Sequence, residues 1–309
     1  MRYVLGFDGG GTKTECVLMD ETGAILARSR SGASNAVNVG AKASAAALAE
    51  AGKQALCSAE KPSADVAFVL AGISGAGEPA VQAEIKTLLQ PNFPAASIVI
   101  TSDLPLTLAA TGEIPSVVVI AGTGSAALGR TSPLKLARAG GFGPIIGDPG
   151  SANDIGRKAV ARCFQKLLNK EKSLLLDEIC SSFDCTWPKF VDLVREQPTV
   201  IFPKVFPIVA KAAESGDMAA RAILSMAAVS LTDQVHEAVQ QLPLENASFF
   251  LAKTGGVFDG SPFLGEHFDA LIRKLYPHAR IGPLPRPVAE SAAQLARDAL
   301  TSPLQIPES

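Results

Sequence analysis

Gly6-Phe7-Asp8-Gly9-Gly10-Gly11-Thr12-Lys13-Thr14 is the stretch whose surroundings decide the fold. The apolar run Tyr3-Val4-Leu5 precedes it. Cys16-Val17-Leu18-Met19 follows, then the turn Asp20-Glu21-Thr22-Gly23 and the run Ala24-Ile25-Leu26-Ala27. The pattern reads strand, glycine loop, strand, turn, strand. A glycine loop inside a hairpin offers backbone N–H groups and hydroxyls to an anion without a helix N-terminus behind it. The two common phosphate loops both open a helix, and neither fits here. Gly6 and Gly11 have the spacing of a P-loop, but Thr12 follows, Lys13 comes one place late, and the residues beyond lack helical spacing. The dinucleotide fingerprint needs a strand–helix–strand unit, which does not follow. A hairpin turn that binds nothing is the competing reading, although three consecutive glycines weaken a strand and Asp8 stands where the strand ends.

The opening hairpin has an echo. Ser116-Val117-Val118-Val119-Ile120-Ala121 is a buried-strand run, Gly122-Thr123-Gly124-Ser125 is a second small-residue loop, and Ala126-Ala127-Leu128-Gly129-Arg130 continues as a strand. Gly122-x-Gly124-x-x-Ala127 matches the dinucleotide pattern only superficially, since again no helix follows. Two such loops imply a duplicated α/β domain, with the loops facing each other across a central cleft. Between them, helical (Ala41 to Leu56, Glu78 to Leu89) and extended (Ala67 to Ala71, Ser97 to Thr101) segments alternate. This predicts mixed sheets with packed helices. The second half is more helical, with long stretches at Ser151 to Asn169 and Asp217 to Gln241 and a strand at Ser248 to Leu251. The boundary is drawn at Pro115, giving domains 1–115 and 116–309. The last helix, about 288–301, is a candidate to pack back on the first domain.

A chain of 309 residues suits two domains better than one core. A net charge of −2 and a pI near 6.0 argue against nucleic acid or an anionic membrane surface as main partner. No run approaches the roughly 20 apolar residues of a membrane span; Lys204 and prolines interrupt the most tempting stretch, Val200 to Val209. Asp8 comes too early for a secretory leader, so a cytoplasmic location is expected. The cysteines Cys16, Cys57, Cys163, Cys180 and Cys185 are odd in number and contain no Cys-x-x-Cys pair, which points to reduced structural thiols.

Few residues remain that can carry chemistry. Asp103, in Thr101-Ser102-Asp103-Leu104-Pro105, lies past the end of a strand, the usual address of a ligand in an open α/β sheet. Address alone leaves helix cap and catalyst equally open. Asp148 sits in the run Gly140 to Ser151 directly before a helix, so capping competes there too. Five glycines in the eleven residues from Gly140 to Gly150, however, have little use in packing alone. Thr254-Gly255-Gly256-Val257 permits close approach to a flat ring or a phosphate, or is a simple strand-to-helix turn. His236, His267 and His278 lie away from the glycine loops and no Ser-His-Asp set is legible. Acidic residues at strand ends with hydroxyl-bearing glycine loops fit phosphoryl transfer assisted by a hydrated Mg²⁺.

These motifs, with Ser34-Asn35 and Ala71-Gly72-Ile73-Ser74-Gly75, resemble in order and spread the N-acetylglucosamine kinase and BadF/BadG/BcrA/BcrD ATPase family of the actin–hexokinase superfamily. The resemblance implies two duplicated RNase H-like domains and an ATP- and Mg²⁺-dependent amino-sugar kinase acting on the 6-hydroxyl of N-acetylglucosamine, glucosamine or N-acetylmuramic acid. It implies that Asp8 organises Mg²⁺ through water. Gly10, Gly11, Thr12, Lys13, Thr123, Gly124 and Ser125 would hold the phosphates, and Gly255 and Gly256 would lie against the adenosine. Asn35, Ser74, Asp103, Thr123 and Asp148 would bind the sugar, with Asp103 as the base. A homodimer is implied as well. Pro149 stands where eukaryotic kinases of this type usually have glutamate, and Ala289-Glu290-Ser291-Ala292-Ala293 replaces a Gly-Ala run. The other branch of the family activates iron–sulfur dehydratases through a cluster-binding cysteine; Asp148-Pro149-Gly150-Ser151 contains none. A sugar sensor that has lost catalysis is the third reading, opposed by the intact Asp103.

Overall fold

The computed structural model describes residues 1–132, 135–304 and 306. The strands β1 (Tyr3–Gly9), β2 (Thr14–Asp20) and β3 (Ile25–Ser31) form an antiparallel meander. α1 (Ala36–Ser58), β4 (Val66–Ile73), α2 (Pro79–Leu89), β5 (Ser97–Ser102) and α3 (Asp103–Ala109) follow. The sheet order is β3-β2-β1-β4-β5, with β1, β4 and β5 parallel. The pattern then repeats with β6 (Ser116–Ala121), β7 (Ser125–Ser132) and β8 (Lys135–Gly140). Five helices come next: α4 (Ala152–Leu168), α5 (Leu174–Ser182), α6 (Trp187–Glu196), α7 (Pro198–Glu214) and α8 (Met218–Gln241). After β9 (Phe250–Thr254) come the short α9 (Gly256–Gly260), α10 (Pro262–Leu275), β10 (Arg280–Pro283) and α11 (Val288–Asp298). The second sheet runs β10-β9-β6-β7-β8, so β6, β7, β9 and β10 hold the places that β1, β2, β4 and β5 hold in the first. Two mixed sheets with helices packed on them form the duplicated RNase H-like architecture of the actin–hexokinase type.

The described residues group into two compact units. One takes Met1–Glu113, Ser132–Leu136 and Leu284–Ser309; the other takes Ile114–Thr131 and Ala137–Pro283. In the first, β1 is buried on both faces. Leu5 and Phe7 pack with Leu48, Ala51, Ile85 and Leu89 of α1 and α2. Val4 faces the other way, towards Leu106 of α3 and Ala292, Ala293 and Ala296 of α11. Among the described residues no helix is long and apolar enough to cross a membrane.

Gly6 lies inside β1, and its role is to let two backbones touch. A Cβ there would stand 2.1 Å from the Ala293 nitrogen and 2.3 Å from the Ala289 oxygen of α11. It is therefore packing, not loop, and the hairpin loop itself spans only Gly10 to Lys13 between β1 and β2. Gly6→Ala is expected to destabilise the first unit by about 3 kcal/mol, as overpacking against rigid backbone does. A denaturant midpoint would measure it. In the second unit α7 contains Pro203 and Pro207 and still runs unbroken through Glu214. Each proline costs roughly 3 kcal/mol in a helix interior. Burial of Ile201, Val205, Phe206 and Val209 offsets that cost.

Candidate active site

In the first unit three segments interlock through their backbones around the hairpin loop. The Gly10 N–H donates to the Lys13 carbonyl at 2.9 Å and closes the turn. The Gly10 carbonyl accepts from Ser34 and Asn35 N–H, each at 3.0 Å. The Ser74 N–H donates to the Gly9 carbonyl at 2.8 Å, and Ala36 N–H to the Ser74 carbonyl at 2.9 Å. Asn35 and Ser74, 39 positions apart, are thereby brought together, and the Asn35 amide donates to Ser74 Oγ at 3.1 Å. Asn35 also caps α1, its Oδ1 accepting from Val37 and Asn38 N–H. Gly10 thus shapes the turn, while Gly11, Thr12 and Lys13 form its exposed tip.

The loop is stiffened from below by two hydroxyls that the sequence reading did not single out. Thr14 Oγ1 gives its proton to the Gly32 carbonyl at 2.8 Å and accepts from Ser34 Oγ at 2.7 Å, and Thr14 and Ser34 are both fully buried. A side chain at Gly9 would strike Ser34 Oγ at 2.4 Å, so the glycine and the serine require one another. Nothing in the local pattern marks Ser34 beyond its place beside Asn35. Its partner lies 20 positions away on another strand.

Asp8 is directly opposite Glu15 in the β1–β2 register, an arrangement of like charges that a sheet avoids without cause. Burial, then Asp103, then Glu15 push the Asp8 carboxyl up to about 7, against a lowering by Lys13. Glu15 is held ionised. Burial raises it, but Lys13 and Arg30, each at 2.8 Å, outweigh that and leave it below the usual range. Lys13 is exposed and paired with Glu15, a weak surface contact that leaves its ammonium easily re-aimed. Asp103 is the first residue of α3, half-buried; Ser102 occupies the cap position. Asp103 is therefore placed one residue beyond the cap, and its charge acts on Asp8.

The second unit repeats the device. The β6–β7 loop is closed by Gly122 N–H on the Gly124 carbonyl at 2.9 Å, and Thr123 is its exposed tip. Asp148 is buried, 5% exposed, with a left-handed backbone at φ 59°. One carboxylate oxygen accepts from Gly143 N–H at 3.2 Å. The other lies 2.6 Å from where a Gly124 Cβ would be, so the loop backbone closely approaches the carboxylate. Burial raises the Asp148 carboxyl above its ordinary range, opposed by the Gly143 N–H and by Arg138. Ser151, not Asp148, caps α4, accepting from Asp154 N–H. Capping therefore does not explain Asp148. The Ser125 hydroxyl is engaged within the unit, donating to the Pro149 carbonyl at 2.9 Å. Gly255, at φ 106°, follows β9, and a side chain there would stand 2.4 Å from the Ala121 carbonyl at the end of β6. At Gly256 a Cβ would meet nothing within 4 Å, which leaves its backbone open to close approach.

The donor set around Asp8 fits a hard divalent cation. A carboxyl raised by burial first, and then by the Asp103 and Glu15 carboxylates, gains from a positive charge beside it. Among the described residues no three His, Cys, Asp or Glu side chains converge into a metal cage.

Two mixed sheets of one topology, each with a hairpin loop near an acidic residue, have the actin–hexokinase-type fold. The BadF/BadG/BcrA/BcrD ATPase family matches residues 5–276, and the chain belongs to that family. It is 26% identical over 310 aligned positions to an N-acetylmuramic acid/N-acetylglucosamine kinase of Clostridium acetobutylicum, covering 96% of this chain and 99% of the relative. It is 28% identical to an N-acetyl-D-glucosamine kinase of Dictyostelium discoideum, covering 90% and 92%. A crystal structure from Chromobacterium violaceum, of a protein to which N-acetylglucosamine kinase activity has been ascribed, shares the fold with a TM-score of 0.80. Its identity is 24%, with 95% of this chain and 98% of that one covered.

Proposed function

We propose that the protein is an ATP-dependent amino-sugar kinase that phosphorylates the 6-hydroxyl of N-acetylglucosamine or a close relative, glucosamine or N-acetylmuramic acid. That it is a sugar kinase rests on its end-to-end similarity to curated kinases of amino sugars. The observation that carries the finer reading is the carboxylate pair Asp8 and Asp103 beside the polar pair Asn35 and Ser74 in one unit. Asp103 takes the proton of the sugar hydroxyl as its oxygen forms a bond to the γ-phosphorus; the bond broken joins that phosphorus to the bridging oxygen that leaves with ADP. Mg²⁺, held by Asp8 through water, would neutralise charge on the phosphates. Asn35, Ser74, Thr123 and Asp148 are assigned to the sugar. Gly10, Gly11, Thr12, Lys13, Thr123, Gly124 and Ser125 are assigned to the phosphates, and Gly255 and Gly256 to the adenosine.

ADP release measured over glucosamine, N-acetylglucosamine, N-acetylmuramic acid, N-acetylmannosamine and glucose tests this reading. Stimulation by N-acetylglucosamine, glucosamine or N-acetylmuramic acid above glucose is expected, and no stimulation by any of the five would overturn it. Pro149 offers no carboxylate in the Asp148 loop, so the anionic lactyl group of N-acetylmuramic acid is the informative member of the panel. Asn35→Ala is expected to lose about 1 kcal/mol of stability through the α1 cap. It should raise the sugar KM while leaving the ATP KM nearly unchanged, which initial-rate kinetics would show.

A further inference from the structure

The hydrogen bonding of Gln234 joins both loops of the second unit, although it stands on α8, outside every motif. Its side chain is buried, 4% exposed. The Nε2 group donates to Ser125 Oγ at 3.1 Å and to the Pro149 carbonyl at 2.8 Å, while Ser125 Oγ donates to that same carbonyl at 2.9 Å. The triangle fixes the amide orientation. The Pro149 carbonyl can only accept, and Ser125 has already given its proton to it, so the nitrogen of Gln234 must face both. The amide oxygen has no hydrogen-bond partner and lies against Gly140, where a Cβ would stand 2.8 Å away at φ 73°. A buried unpaired oxygen costs stability, so retaining an amide here where an apolar side chain would fill the space calls for a use.

We propose that Gln234 is a positioning residue: it ties the β6–β7 loop, through Ser125, to the Asp148 loop, through Pro149, and so sets Thr123 and Gly124 relative to Asp148. The close approach of Gly124 to the Asp148 carboxylate is what the tie preserves: a Cβ on Gly124 would stand 2.6 Å from a carboxylate oxygen. The inference rests on the kinase reading for its kinetic consequence, but its structural consequence stands apart from it.

The test uses Gln234→Leu, which keeps the volume and removes the donor, and Gln234→Glu, which sets a carboxylate oxygen against the Pro149 carbonyl. Amide hydrogen exchange is followed in the full-length protein. Segments 122–125 and 147–151 are expected to exchange about tenfold faster in both variants, with Glu more affected than Leu and the protection of β9 and α10 unchanged. With the preferred sugar, kcat is expected to fall about tenfold or more in Gln234→Leu while the ATP KM moves less than about threefold. Unchanged exchange in both segments, or wild-type kcat in the leucine variant, would overturn the assignment. If wild type phosphorylates none of the sugars, the exchange result alone decides on Gln234 and the kinase reading fails separately.

Discussion

Asp103→Asn is expected to lower phosphoryl transfer to the sugar by about 10²–10⁴-fold while leaving nucleotide affinity within a few-fold of wild type. Asparagine keeps the size and most of the hydrogen bonding of the side chain but cannot accept the proton that the sugar hydroxyl must lose. The backbone role of the residue survives the change, because Thr107 Oγ1 bonds the Asp103 carbonyl rather than its side chain and Ser102 holds the cap position. A folding defect is therefore not expected. Single-turnover rates with saturating sugar, together with nucleotide binding by calorimetry, separate chemistry from binding. Turnover at near wild-type rate would remove Asp103 from the reaction.

Asp8→Asn is expected to have two effects of opposite sign, a loss of more than about 100-fold in turnover and a gain in stability of the free protein at alkaline pH. The carboxyl has its folded pKa raised to about 7 from an ordinary 3.8. A raised carboxyl means that the native state holds its proton more tightly than the unfolded chain. Stability then falls as pH rises from about 4 to about 7, and the full penalty persists above 7. A neutral asparagine does not bear it. The variant should gain up to about 4 kcal/mol at pH 8, several degrees in Tm, and should converge on wild type near pH 4. Mg²⁺ with nucleotide should raise the Tm of wild type more than that of the variant, since the cation relieves the carboxylate that the variant lacks. A variant less stable than wild type at pH 8 would mean that the carboxylate is not strained, and the metal assignment would lose its physical ground.

Much of this was legible in the chain. The strand–loop–strand setting of Gly10 to Lys13 excluded a loop that opens a helix, and the second hairpin at Gly122 to Ser125 implied duplication; β1–β2 and β6–β7 form in that way. Helix α8 begins at its cap Asp217, which accepts from Ala220 N–H as its residue type suggests. Other features left weak signals. Strand β9 runs Phe250–Thr254, two residues later than its apolar pattern reads, because pairing with β6 and β10 sets its limits. Helices α5, α6 and α7 had no sequence assignment, and the prolines of α7 point away from a helix that burial nevertheless sustains. Gly6 read as part of the anion loop because a glycine that admits a helix backbone has the same letter as one that admits a phosphate.

The sequence by itself determined the local alternation of strand, glycine loop and helix, the acids at the strand ends, and the kinship that their order carries. These depend on residue type and short spacing, which a chain displays openly. Only the tertiary structure decided which polar groups serve one another: Asn35 with Ser74, Thr14 with Ser34, Asp8 under the charge of Asp103, Gln234 with Ser125 and Pro149. The physical reason is that desolvation and hydrogen-bond geometry are set by neighbours 20 to 109 positions away, and no local pattern encodes them.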